Sequence, residues 1–237
     1  MSLLAAVRIL SPWPFSFGSG GGEFELVFAD TGAELPEVYW LLPRLAKTIG
    51  KTLHVVSNGS FFQHLAAYGY MLPGPRLRWC TRLLKQVPQD RFFQTVGAET
   101  VYIGIRADEP RRLHTNPRPR SGAHEFVYPL AEAGMGKADV KELCAKYDLL
   151  NPVYQWRSSV SCFCCFFQRV ADWRGLRKHH PTLYAIAEEW ERQAIRMTEK
   201  GYTWRQGYSL EDMRKADECQ LRLWPEPDEE PCLICTV

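Results

Sequence analysis

Three short runs of apolar residues, Phe24 to Ala29, Thr52 to Val56 and Thr100 to Ile105, are rich in Val, Ile and Phe and read as buried strands. Between the first two lies a helical pattern. Pro36 stands where a first-turn proline is tolerated, Val38, Leu41, Leu42 and Leu45 follow at three- and four-residue spacing, and Gly50 ends the run. The unit is therefore strand, turn, helix, strand. Its repetition predicts an α/β fold in which a mostly parallel sheet is flanked by helices, with ligands taken at the carboxyl ends of the strands. Farther on, Lys137 to Tyr147 and Thr182 to Met197 read as amphipathic helices. Gln155 to Gln168 is aromatic and cysteine-rich with little periodicity, which predicts a helical, cysteine-rich C-terminal part with a site in it.

At 237 residues the chain is long enough for one core and short for two, so one domain is expected over 1–223. Residues 1–23 form an atypical N-terminus. Residues 224–237 read as an acidic, Pro-rich tail, because Trp224 to Pro231 holds three prolines and four acids. No run of eighteen apolar residues occurs and the N-terminus makes a poor signal peptide, so the expectation is a cytoplasmic protein without a membrane span.

The balance of 29 basic to 27 acidic residues hides a local excess. Ten Lys/Arg and four Asp/Glu lie between Arg76 and Arg120, which leaves 19 and 23 elsewhere. A middle region built to meet an anion is the reading. Eight cysteines are too few for a disulfide scaffold, and three of them fall together as Cys162, Cys164 and Cys165. That clustering suits a metal site in a reducing compartment. Thiolates hold iron–sulfur clusters or zinc when three or four converge. Cys80, beside Trp79, lies apart from these three in the sequence.

Four segments carry the chemistry: Phe28-Ala29-Asp30-Thr31-Gly32-Ala33-Glu34-Leu35-Pro36-Glu37, Arg78-Trp79-Cys80-Thr81-Arg82-Leu83-Leu84-Lys85, Gly104-Ile105-Arg106-Ala107-Asp108-Glu109, and Ser161 to Arg169. Singly, the first is a capped turn and the next two are basic loops. Together, in this order, and with Tyr128-Pro129-Leu130 and Asp139-Val140, they resemble the phosphoadenosine phosphosulfate reductase family of the adenine nucleotide alpha-hydrolase superfamily. The chain looks like the versions common in bacteria and phages. The resemblance runs from about Phe24 to about Met213.

The resemblance implies an adenine nucleotide, sulfonucleotide or ATP, in a cleft at the strand ends. Asp30, Thr31 and Gly32 would line the pocket, Arg78, Lys85 and Arg106 would face phosphate or sulfate, and Gly104 would let backbone come close. It implies a four-iron cluster on Cys80, Cys162, Cys164 and Cys165, zinc being the alternative, and a thiol donor such as thioredoxin. Cluster-independent relatives use a C-terminal cysteine in an E-C-G-x-H motif. Cys219, in Glu218-Cys219-Gln220, matches it without the glycine and histidine and is the catalytic candidate.

The family opens with a strand, an SGG-K-D-S phosphate loop and a helix. Here Phe17-Gly18-Ser19-Gly20-Gly21-Gly22 is followed at once by Glu23, without the lysine, aspartate and second serine, and a flexible glycine linker reads it equally well. Whether the chain is an enzyme is therefore open. The leading expectation is a reductase-like protein that reduces or transfers sulfur. The alternatives are ATP-dependent thiolation of nucleic acid and an inactive nucleotide-binding or regulatory homologue. A homo-oligomer that supplies the missing wall is a further expectation. His179 and His180, and Trp156, Trp173 and Trp190, read as packing residues.

Overall fold

The computed structural model describes residues 4–9, 24–115, 124–198 and 201–218. The strands are β1 (Leu4–Ile9), β2 (Glu25–Ala29), β3 (Leu53–Val56), β4 (Ala98–Ile103) and β5 (Glu125–Val127). Around them run α1 (Pro36–Ile49), α2 (Phe61–Ala67), α3 (Trp79–Thr81), a π-turn at Arg82–Gln86, α4 (Val87–Thr95), α5 (Pro110–Thr115), α6 (Pro129–Glu132), α7 (Lys137–Lys146), α8 (Val170–His179), α9 (Pro181–Met197) and α10 (Leu210–Glu218). Among the described residues no helix is long and apolar enough to cross a membrane.

The five strands form one sheet in the order β3-β2-β1-β4-β5. β2 is parallel to β3 and β4 to β5, whereas β1 lies antiparallel to both β2 and β4. Four strands thus point one way and the central strand opposes them. The α/β, mostly parallel architecture holds, with a reversed centre that periodicity did not predict. Apolar runs carry no strand direction, so the reversal shows only in the pairing of the strands.

α1 begins at Pro36 and stops at Gly50, whose φ of +68° closes the helix in a left-handed cap. Val38 and Leu42 bury its inner face with Phe28 of β2 in the main core. That core also takes Phe61 and Leu65 of α2, Trp173 and Leu176 of α8, and Tyr184, Trp190 and Ala194 of α9. On the other face of the sheet, Val27, Ala98 and Val101 pack on Phe93 of α4. Trp173 and Trp190 are core anchors as expected. Trp156 is part-buried and stacks on His179 at 5.1 Å, and His180 reaches Glu37 of α1 at 2.7 Å, so both histidines have packing partners.

Glu191 of α9 fastens the C-terminal segment. Its two oxygens accept the Trp204 N–H at 2.7 Å and the Leu210 N–H at 2.5 Å from within the core. Burial pushes its pKa up from 4.5 to about 7, against the pull of those two amides. The folded state then holds a proton that the unfolded chain releases between those values. The associated stability is full below pH 4.5 and lost as pH rises through about 7, a swing of about 3 kcal/mol. In urea titrations, the stability difference between the wild type and Glu191→Gln should shrink by that amount across this window. A difference that stays constant with pH would place the proton elsewhere.

Candidate functional site

Because four strands are parallel, their carboxyl ends share one edge, and the loops after β2, β3 and β4 meet there. In the first loop Asp30 Oδ1 accepts from the Gly32 N–H at 2.8 Å and the Tyr39 hydroxyl at 2.7 Å. Burial and this contact hold the Tyr39 phenol above its ordinary range. Thr31 is buried, donates to Glu34 Oε1 at 2.9 Å, and its carbonyl takes the Phe61 N–H at 2.7 Å, tying the loop to the start of α2. The turn needs Gly32, which has φ +65° and would place a Cβ 2.9 Å from Ser60 Cβ. Gly32→Ala should therefore cost about 1–3 kcal/mol, read as a lowered urea midpoint; an unchanged midpoint would mean the loop moves freely.

The cysteine loop docks on this turn. The Phe163 N–H donates to the Ala33 carbonyl at 2.8 Å, and Cys162 Sγ lies 3.3 Å from Thr31 Oγ1 and 3.5 Å from Glu34 Oε1. Beneath the loop sits Arg157, only 3% exposed. It donates to the Ser161 carbonyl at 3.1 Å, the Ser161 hydroxyl at 3.0 Å and the Cys162 carbonyl at 2.9 Å. Its Nε has no partner among the described residues. Asp172 of α8 braces the approach by accepting from the Ser158 N–H at 2.6 Å, the Ser158 hydroxyl at 2.8 Å and the Arg169 N–H at 3.0 Å.

Cys80 and Lys85 arrive from α3 and the π-turn. Pro88 has no N–H to give, and the Val87 N–H reaches back five residues to the Arg82 carbonyl. The Leu83 carbonyl takes the Asn58 amide instead, at 3.1 Å, which ties the turn to the loop after β3. Lys85 is part-buried. Burial opposes its charge, but Cys162, Glu34, Cys165 and Cys80 outweigh it and hold its pKa above the ordinary lysine value. The lysine thus stands among three of the four predicted thiols. Trp79 turns its ring to Phe61 and Tyr68, and its indole N–H to the Met71 carbonyl.

Burial pushes the Cys162 thiol up to about 12 and raises Cys80 and Cys164 as well. Among the described residues no group of three or more His, Cys, Asp or Glu is arranged to hold a metal ion. The donors nonetheless suit a charged cysteine-ligated group in kind. Arg157 is a buried cation with no ion pair among the described residues, and Cys165, Asp172, Cys162 and Cys164 are the groups whose charge bears on it. Thiolates there would add to the negative charge of Asp172 that bears on it.

The three cations expected to share one anion have different surroundings. Lys85 is at the thiols. Arg78 is exposed, its guanidinium 5.4 Å from the Phe167 ring centre. Arg106 is bound to Asp108 at 2.8 Å and Glu109 at 3.4 Å. A Cβ on Gly104 would meet only Leu130 Cδ1, at 3.6 Å, so the fold itself leaves room there. Cys219 and residues 17–22 lie outside the described residues. Sequence reasoning missed Arg157 and Asp172, which no motif marks. Glu34 was visible inside the first motif without a role.

Residues 10–160 match the family model for the phosphoadenosine phosphosulfate reductase domain. An uncharacterized protein of Methanocaldococcus jannaschii is 24% identical over 200 residues, covering 76% of this chain and 38% of that one, so the chain spans well under half of its curated relative. Among solved structures, the phosphate complex of phosphoadenylyl-sulfate (PAPS) reductase from Candida auris is similar over 57% of this chain and 68% of that one, at 20% identity and a TM-score of 0.43.

Proposed function

The chain belongs to the phosphoadenosine phosphosulfate reductase family, and from that premise we propose that it binds an adenine nucleotide or sulfonucleotide at the strand ends and reduces or transfers sulfur at the adjoining cysteines. The observation that carries this reading is the seat of Cys162 on the nucleotide-loop residues Thr31 and Glu34, with Lys85 alongside. The contact joins residues 131 positions apart, so it belongs to the packing of the fold and not to a local turn.

In this reading Cys80, Cys162, Cys164 and Cys165 hold an iron–sulfur cluster, which would supply electrons or a sulfur-handling metal centre. Arg157 shapes the loop that presents three of these ligands, and Lys85 keeps a positive charge where an anionic sulfur group would approach. Thr31 and Glu34 orient Cys162 by hydrogen bonds. Electrons would come from a thiol donor of the thioredoxin kind.

The test is an anaerobic purification in which absorption in the visible blue, iron and zinc analysis and a nucleotide titration are made on one sample. Iron with a broad blue absorption and saturable binding of a sulfonucleotide are expected. Metal-free protein whose four thiols all react freely with a maleimide would remove the cluster, and absence of nucleotide binding would remove the substrate. Reversal of β1 and loss of the phosphate-loop residues favour a second reading, a nucleotide-binding homologue with little turnover.

A further inference from the structure

Two acid-free stretches of chain meet on the outside of the cysteine loop. Neither Asp nor Glu occurs between Glu37 and Asp90, or between Asp148 and Asp172. These stretches supply α2, α3, the π-turn and the cysteine loop, and among the exposed charges they carry are Arg76, Arg78, Arg82 and Arg169. The Arg82 N–H donates to the Arg78 carbonyl at 3.3 Å, so these two side chains stand one helical turn apart on one face. The Arg78 guanidinium in turn lies 5.4 Å from the Phe167 ring centre, and Phe167 is two residues from Arg169. None of the four arginines forms an ion pair with a described residue.

Exposed rings stand among these charges. Phe167 remains 38% exposed, although Phe166 lies against it at 4.2 Å between ring centres and Arg78 lies over it. Tyr68 is 39% exposed and stacks on Trp79, the neighbour of Arg78, at 5.5 Å and 6° between planes. A ring backed on one side by the fold and open elsewhere is held ready for a further stacking partner. Guanidinium forks suit phosphate, and open rings suit the face of any base. Phosphate alone would use the forks and leave the rings bare. An apolar partner would cover the rings and leave unpaired arginines beside it. A chain of nucleotides uses both.

We propose that this surface binds single-stranded nucleic acid, with phosphates on Arg76, Arg82 and Arg169, bases stacked on Tyr68 and Phe167, and Arg78 steadying the Phe167 ring. RNA and DNA share that chemistry. The surface needs neither the nucleotide at the strand ends nor a cluster on the thiols, so it goes beyond the proposed function.

The test is fluorescence anisotropy on the reduced full chain, with labelled oligouridylate, oligothymidylate and a DNA duplex of equal length, inorganic polyphosphate as competitor, and phosphatidylserine vesicles in a parallel flotation. At least one single strand should bind more tightly than the duplex and resist polyphosphate of equal charge. Preference for the ribose or the deoxyribose strand then names the sugar. Arg76→Gln, Arg82→Gln and Arg169→Gln together should flatten the slope of log affinity against log salt by about 0.7 for each arginine. Tyr68→Ala and Phe167→Ala, both at exposed rings, should each weaken binding about fivefold or more and leave that slope unchanged. Full displacement by polyphosphate, equal binding of the duplex, binding to vesicles without binding to either strand, or no binding at all overturns the proposal. Calorimetry with adenylyl sulfate runs alongside. The triple arginine variant should bind it as the wild type does, and a loss there would return these arginines to the nucleotide site and overturn the surface. Wild-type protein that holds a single strand and ignores adenylyl sulfate removes the proposed substrate and leaves the surface standing. The wild-type comparison of strand, duplex and polyphosphate decides the matter should a variant fail to fold.

Discussion

Arg157→Ala is expected to lower stability by about 3 kcal/mol and to open the cysteine loop. Two effects compete. Removing a buried cation that has no ion pair relieves a desolvation cost of several kcal/mol. Against that, the Ser161 and Cys162 carbonyls lose their donors while buried, at about 1–3 kcal/mol each, and a large side chain leaves a cavity. The second effect wins because two acceptors and the volume are lost together. Urea denaturation measures the cost, and alkylation of Cys162 and Cys164 in the reduced protein measures the opening. Both thiols should react faster in the variant. Arg157→Lys should recover the charge without the planar fork and rescue little, since one ammonium cannot span three acceptors. A variant as stable as wild type, with equally slow thiols, would mean that the loop stands without the arginine.

The second large effect concerns turnover. Reduction of adenylated sulfate by this chain, with a thiol donor supplied, should run at least about a hundredfold below that of a chimera whose residues 1–23 are replaced by a strand, a complete phosphate loop and a helix. Catalysis needs donors preorganised where charge develops, and loss of one such donor already costs about a hundredfold or more. Here the loop lysine, aspartate and second serine are all absent, and the central strand runs opposite to the direction that would deliver a helix N-terminus to the strand ends. Full activity in the unaltered chain would require a second subunit or another segment to complete the cradle.

Much of this was readable in advance for identifiable reasons. β2, β3, β4 and α1 were legible because buried strands are continuous apolar runs and because Val38, Leu41, Leu42 and Leu45 repeat at the helical period. The Asp30 loop and the cysteine cluster were legible as motifs. β1 was not, because strand direction is not written in apolar pattern: Leu4 to Ile9 would look the same in a parallel centre and in this reversed one.

The sequence by itself marked β2, β3, β4 and α1, the residues that could carry chemistry, and the absence of a lysine, an aspartate and a second serine from residues 17–23, since all of these are properties of local residue type and spacing. Only the tertiary structure decided what touches what. Thr31 meets Cys162, the Phe163 N–H meets the Ala33 carbonyl, and the Asn58 amide reaches the Leu83 carbonyl. These contacts join residues whose separation along the chain is set by the packing of the sheet and helices. No local pattern encodes them.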